Sequence, residues 1–263
     1  MTGPTLPRLE VLMDAAWPAP DRAESAGWVL RAASGVTQRA NSVWVREPGS
    51  DPHRQLAALR EARLWYRARR LPLIFQVFAD HRSAALNALL DDEGFTRQSE
   101  TLIMTLDSSG TGHQKAGPAG VEISEKPSEE WLQLWWSVDG RGGPAERETA
   151  HAILEACPAL YALVRDDDGA PAAVGRLALP VGEGGAGGIY CMATRTDLRR
   201  RGFGGRVLTA LSDAAEAAGT GSLWLLVTAQ NRGAQALYAA AGFQETGRYL
   251  YRQERPKRHL TGC

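Results

Sequence analysis

The chain has no excess charge of either sign, with 30 Lys and Arg against 30 Asp and Glu over 263 residues. The broad basic field of a nucleic-acid binder is therefore missing. No apolar run approaches the roughly 18–20 residues that cross a bilayer. The opening Met-Thr-Gly-Pro-Thr-Leu-Pro-Arg holds no apolar signal core. Cysteines are scarce: Cys157, Cys191 and Cys263 are odd in number and widely spaced, with no CxxC pair and no histidine at metal-ligand spacing. That excludes a disulfide framework and a zinc motif, and fits reduced thiols. The expectation is a soluble, cytoplasmic protein without metal, membrane or nucleic-acid partner.

The length suits one large domain or two ordinary ones. Asp107 to Gly120 is small, polar and glycine-rich, and reads as a linker over 108–120 between 1–107 and 121–263. Two local basic runs stand out, Arg60 to Arg70 and Arg255 to Arg258. They read as the solvated face of a helix and a frayed tail.

The most informative stretch is Arg199-Arg200-Arg201-Gly202-Phe203-Gly204-Gly205. An apolar strand candidate, Ile189 to Thr194, precedes it. A helix candidate follows, with Val207, Leu208, Leu211, Ala214, Ala215 and Ala218 at helical spacing. Strand, glycine turn and helix N-terminus make an anion site, because the first helical N–H groups lack intrahelical partners and the dipole favours negative charge. Arginines add charge-assisted hydrogen bonds suited to phosphate.

The halves resemble each other near their ends. Ala88-Leu89-Leu90-Asp91-Asp92-Glu93-Gly94-Phe95 aligns with Ala236-Leu237-Tyr238-Ala239-Ala240-Ala241-Gly242-Phe243. A strand candidate precedes each, Leu73 to Ala79 and Leu223 to Thr228, and a β-rich tail follows, Thr101 to Leu106 and Arg248 to Arg252. This reads as a duplication. The first copy has Pro48 to His53, with Asp51, where the second has its glycine loop, and Leu90 where the second has Tyr238. In the C-terminal half, helices are expected over Ser128 to Val138 and Ala145 to Ala156. Strands are expected over Ala159 to Arg165, Ala172 to Leu179 and Gly188 to Arg195, with a turn at Asp166 to Gly169 and a final strand pair.

This order resembles the GNAT superfamily of N-acetyltransferases. Its cofactor motif, Arg/Gln-x-x-Gly-x-Gly/Ala, stands as Arg199 to Gly204. Its second signature stands as Asn231 through Tyr238 to Gly242-Phe243. Leu223 through Phe243 is similar to the bacterial ribosomal-protein enzymes of that superfamily. The resemblance implies an α/β (α+β) architecture: two tandem GNAT-like domains, each a mixed, mostly antiparallel sheet flanked by helices. The first copy would be degenerate and the second active.

The resemblance further implies acetyl-CoA as acetyl donor to a primary amine of a small molecule or peptide, in a monomer or homodimer. Arg199, Arg200, Arg201, Gly202, Phe203, Gly204 and Gly205 would hold the pyrophosphate. Met192, Ala193 and Thr194 would pair with the pantetheine arm, and Asn231 would bond it or the local backbone. Tyr238 would protonate the leaving thiolate. The family glutamate on the fifth strand is Leu226 here. The base is then water, a carboxylate between Asp139 and Glu155, or unnecessary. The alternative is a non-catalytic acyl-CoA sensor or protein-interaction module. Trp131 and Trp135 read as core, Trp136 as a pocket candidate, and Tyr190 and Cys191 as packing. His151 reads as a surface residue. In the first half, Arg31, Arg39 and Asn41 read as exposed strand residues, or as the acceptor side of a cleft.

Overall fold

Helical and strand periodicity place most elements correctly, and capping sets their ends. The structure is a computed structural model that describes residues 5–47, 49, 51–107, 120–180 and 185–255. The elements are α1 (Leu6–Ala16), β1 (Asp21–Ser25), β2 (Trp28–Ala32), β3 (Val43–Val45), α2 (Pro52–Ala68), β4 (Ile74–Phe78), α3 (Ala84–Asp92) and β5 (Thr96–Asp107). They continue as β6 (Val121–Ser124), α4 (Glu129–Asp139), α5 (Pro144–Glu155), β7 (Ala159–Arg165), β8 (Pro171–Ala178), β9 (Ala186–Thr194), α6 (Phe203–Ala217), β10 (Ser222–Thr228), α7 (Arg232–Ala240) and β11 (Gln244–Gln253). At the start of α4, Ser128 Oγ accepts from the Trp131 N–H at 3.1 Å, as its N-cap position predicts. The β7–β8 hairpin turns where expected, with Gly169 at φ +81° and the Asp166 N–H donating to the Ala170 carbonyl. Among the described residues no helix is long and apolar enough to cross a membrane. The proposed linker lies, apart from Gly120, outside the described residues.

The chain forms two compact units. The larger is Met1–Pro18 with Leu102–Thr246, and the smaller is Ala19–Thr101 with Gly247–Cys263. This partition cuts across the division at 1–107 and 121–263. Helix α1 and the end of β5 pack with the C-terminal half, and Gly247 onward packs with the N-terminal half.

In the larger unit the strand order is β11-β5-β10-β9-β8-β7-β6. β9 and β10 run parallel; the β6–β7, β7–β8 and β8–β9 pairs are antiparallel. In the smaller unit the order is β1-β2-β3-β4-β11-β5, with β3 and β4 parallel and the β1–β2, β2–β3 and β4–β11 pairs antiparallel. Each unit is thus a mixed, mostly antiparallel sheet with helices, as expected. The expected final strand pair is corrected to the single strand β11. The second strand of that pair is supplied by β5: Leu102 and Met104 join the core cluster of β10 and α6. Local periodicity marks a strand but not its partner, because pairing is non-local.

In the larger core, Val207, Leu208 and Leu211 of α6 bury against Ala162, Val164 and Leu177. Gly175 lets the helix approach: a Cβ there meets Val207 Cγ1 at 2.6 Å and Met192 Sδ at 2.7 Å. Arg176, fully buried, donates to the carbonyls of Ala16 (3.0 Å) and Leu154 (2.9 Å). Its guanidinium lies 5.8–5.9 Å from the rings of Trp17, Tyr161 and Tyr190. Carbonyls and ring faces, rather than a carboxylate, compensate this buried charge.

The smaller core gathers Trp28, Val43, Leu59, Tyr66, Phe75 and Leu90. Arg31 and Asn41, read as exposed strand residues, are buried; Arg39 is half-buried. Arg31 donates to Ser42 O, Ser42 Oγ and Gln76 Oε1 at 2.8–3.0 Å. Asn41 Oδ1 accepts from Ala33 and Gly35 while Nδ2 donates to Val36 and Thr37, so it ties its own loop. Their polarity suggested solvent; local hydrogen bonding permits burial.

Gly175→Ala is expected to destabilise the fold by about 1–3 kcal/mol through overpacking. A denaturant melt with unchanged midpoint contradicts the packing described.

Candidate active site

The site begins where a ladder ends. β9 and β10 pair from Ser222↔Ala186 to Leu225↔Ile189, and no pairing follows. Beyond that point the backbone of β9 has an edge open toward β10. On the β8 side, Arg176 opposes Tyr190 and Val174 opposes Ala193, so Cys191 and Met192 form a bulge opposite Gly175. Cys191 takes the left-handed region at φ +53°. Such a bulge re-aims the strand beside a cleft. Met192, Ala193 and Thr194 lie on this segment.

The chain then passes a short 3-10 turn, Thr196–Leu198, into the glycine loop. Arg200 (φ +65°) and Gly202 (φ +86°) are left-handed. Gly202 is the N-cap of α6 and carries no side-chain cap. The first amides of α6, on Phe203, Gly204 and Gly205, therefore lack intrahelical partners and side-chain acceptors. A Cβ on Gly204 would meet Thr194 Oγ1 at 3.5 Å and Leu237 at 3.6 Å, which places the helix start between β9 and α7. Arg199, Arg200 and Arg201 are exposed. Phe203 is buried, with the guanidinium carbons of Arg201 and Arg206 over its ring at 5.6 and 5.7 Å. The loop presents positive charge and open N–H donors on one surface.

Asn231 caps α7, its Oδ1 accepting from the Ala234 N–H at 3.1 Å. Tyr238, on the same helix, is buried against Phe243 with ring centroids 6.2 Å apart. Its hydroxyl bonds to no described residue. Burial pushes its pKa up to about 12, and the anion of Asp139 adds to the rise. Asp139 ends α4. Desolvation of its carboxyl raises its pKa although the residue keeps exposed surface; Arg199 and Arg141 oppose that rise. Within the Asp139 to Glu155 stretch, Glu146 caps the Gly143 N–H and Glu155 pairs with His151. Asp139 is the carboxylate of that stretch that couples to Tyr238.

The tryptophans divide as their spacing predicts. Trp131 is core, its Nε1 donating to the carbonyls of Ala162 and Gly175, and Trp135 is buried. Trp136 lines a cavity of about 510 Å³ between α4 and α5, beside Glu129, Glu148 and His151. Sequence reasoning missed Trp17. It follows α1 and stacks on Tyr190 at 5.4 Å, and Tyr190 abuts Trp224. No local motif marks a tryptophan so far along the chain as a neighbour of the site.

The smaller unit repeats the plan without the cradle. Gly94 and Gly242 are both left-handed, and Phe95 N–H→Leu90 O mirrors Phe243 N–H→Tyr238 O. At the start of α2, however, Asp51 accepts from the N–H groups of His53 and Arg54. Its own carboxylate occupies donors that an anion would use, and Leu90 is fully buried hydrocarbon where Tyr238 stands.

A family model described as "Probable histone acetyltransferase Rv0428c C-terminal" matches residues 6–252. The uncharacterized N-acetyltransferase YobR of Bacillus subtilis (strain 168) is 26% identical over 250 residues, covering 94% of this chain and 98% of its own. A solved GCN5-related N-acetyltransferase from Kribbella flavida superposes with a TM-score of 0.71 at 18% identity, over 98% of each chain. A tandem GNAT protein from the clavulanic acid biosynthesis pathway gives 0.67 at 16% identity, over 97% of this chain and 91% of its own. These two structures share the fold of this chain.

The Tyr238 phenol is expected to stay protonated up to pH 10.5, followed by NMR of ring-labelled tyrosine with Tyr238→Phe for assignment. Asp139→Asn removes a repelling anion and should lower the midpoint. Half-ionisation of the wild-type phenol below pH 10 contradicts the environment described.

Proposed function

The chain belongs to the Rv0428c C-terminal family of acetyltransferases and is an acyltransferase of the GNAT type; from that premise we propose that it moves acetyl from acetyl-CoA to a primary amine in a ternary complex. The observation that carries this reading is the uncapped, left-handed start of α6 at Gly202 beside the point where β9 leaves β10.

The residues present suit acetyl-CoA. The open amides of Phe203, Gly204 and Gly205, backed by Arg199, Arg200 and Arg201, match a pyrophosphate. The free edge at Met192, Ala193 and Thr194 offers strand-like bonds to the amides of the pantetheine arm. Asn231 spends its Oδ1 on the helix cap, which leaves its Nδ2 for the arm. When bound, acetyl-CoA supplies an acetyl group activated as a thioester. Tyr238 donates its unpartnered hydroxyl toward the sulfur as the C–S bond breaks. With a pKa of about 12, against about 8.5 for an ordinary thiol, it acts first as a hydrogen-bond donor and passes its proton late. Asp139 takes the proton that the amine nitrogen loses as its bond to the carbonyl carbon forms. It thereby fills the role left vacant by Leu226. Positioning supplies much of the remaining acceleration.

The acceptor is the amine of a small molecule or peptide, with Trp136 and the α4–α5 cavity on its side of the site. Cys157 and Cys191 form no disulfide among the described residues, which fits a reducing, cytoplasmic setting. The smaller unit is the degenerate copy, its helix start closed by Asp51.

Thiol release from acetyl-CoA across a panel of amines tests the reading. Gly204→Asp puts a carboxylate in the cradle and should weaken acetyl-CoA binding at least tenfold by calorimetry. Tyr238→Phe should lower kcat about 10²-fold or more with cofactor affinity unchanged. Asp139→Asn should lower kcat/KM and abolish the acid limb of its pH profile. In the wild type that limb lies above the usual carboxylate range, and activity rises with pH as Asp139 ionises. Absence of acetyl-CoA binding overturns the proposal; full turnover in Tyr238→Phe removes that residue as proton donor.

A further inference from the structure

Arg255, the first residue of the second basic run, meets the first run in the smaller unit, far from it in sequence. Arg63, Arg67 and Arg70 follow one another at i, i+4 and i+7, one face of α2 and its end. The residues after β11 bring Arg255 to the same place. Together they line a cavity of about 1070 Å³ that also receives Glu93 and Glu254.

The carboxylates there are already committed. Arg63 Nη2 pairs with Glu93 at 2.8 Å, and its Nε pairs with Glu254 at 2.7 Å. Arg67, Arg70 and Arg255 have no carboxylate partner among the described residues. The cavity therefore carries net positive charge, with one guanidinium fixed and three exposed. Arg70 also occupies an unusual backbone position. It ends α2 in the left-handed region at φ +56°, where glycine is the ordinary residue. Its N–H donates to Arg67 O and the Leu71 N–H donates to Tyr66 O, so the helix end is closed by backbone alone. An arginine side chain is thus kept where local geometry favours none. The helix dipole favours arginines near a helix C-terminus, but it does not explain Arg255, which arrives from another element.

We propose that this cavity binds a small phosphorylated molecule carrying at least two phosphate charges. The converging guanidiniums offer bidentate donors to phosphate oxygens. The volume lies at the upper end for small-molecule sites and admits a ligand of nucleotide size. The site belongs to the copy without the glycine cradle, and stands independently of acetyl transfer.

The test is calorimetric titration of pyrophosphate into the full-length Gly204→Asp variant, whose added carboxylate closes the other phosphate-binding surface. One pyrophosphate per chain is expected, with affinity falling as salt rises. Adding Arg67→Ala/Arg70→Ala should weaken that binding at least tenfold, leaving Tm unchanged. Arg67→Lys/Arg70→Lys, which keeps charge but loses the fork, should weaken it less than alanine does. Three results would overturn the proposal: no pyrophosphate binding in the Gly204→Asp variant; unchanged affinity when the double alanine change is added to it; or displacement of pyrophosphate by a short single-stranded oligonucleotide that binds more tightly, which makes the face a nucleic-acid surface.

Discussion

After Ile189 and Leu225 the parallel ladder between β9 and β10 stops, and the candidate site lies around that interruption. A sheet keeps its backbone groups paired, so an unpaired stretch inside a fold needs a reason. Here the bulge at Cys191 and Met192 turns β9 aside. Gly175 leaves room for Met192 and for α6 at the same level. α6 then starts from Gly202 with its first amides open. Ladder end, bulge and helix start follow each other along the chain from β9 into α6, and one glycine on β8 makes the packing possible.

The larger unit also depends on chain that lies far from the site in sequence. Arg176 is buried with no carboxylate partner among the described residues, and the Ala16 carbonyl takes one of its bonds. Trp17 covers Tyr190, and β5 lies beside β10. A C-terminal half starting at Val121 lacks all three. The buried guanidinium then loses a partner, Tyr190 loses its stacking ring, and β10 becomes an edge. Separate folding of that half is disfavoured on these grounds.

The two units share a plan and differ by small chemical steps. Both keep a parallel strand pair, a nine-residue helix, a left-handed glycine and the same bonds across it. Where the larger unit leaves its helix start open at Gly202, the smaller closes it with Asp51. Where one carries a phenol, the other carries Leu90. The smaller unit has instead turned Arg31 and Asn41 inward as hydrogen-bonding pins and gathered arginines at the far end of α2. The helix start closed by Asp51 and the cluster of arginines belong to the same unit.

The sequence by itself marked most of the elements, their order in the C-terminal half and the family resemblance. Those signals are local: N-caps such as Ser128, the hairpin turn at Asp166, the glycine loop, and the Asn231-to-Phe243 helix signature. It also separated Trp131 and Trp135 from Trp136, because helical spacing is enough to assign faces. Tertiary structure decided what joins across the chain. It set Asp139, one of four carboxylates in its stretch, where its charge reaches Tyr238, brought Trp17 to Tyr190, lent β5 to β10, buried Arg31, and set Arg255 opposite α2. These contacts depend on pairing and burial between residues far apart in sequence, which no local period records, and polar residues read as exposed only until hydrogen bonds make burial affordable.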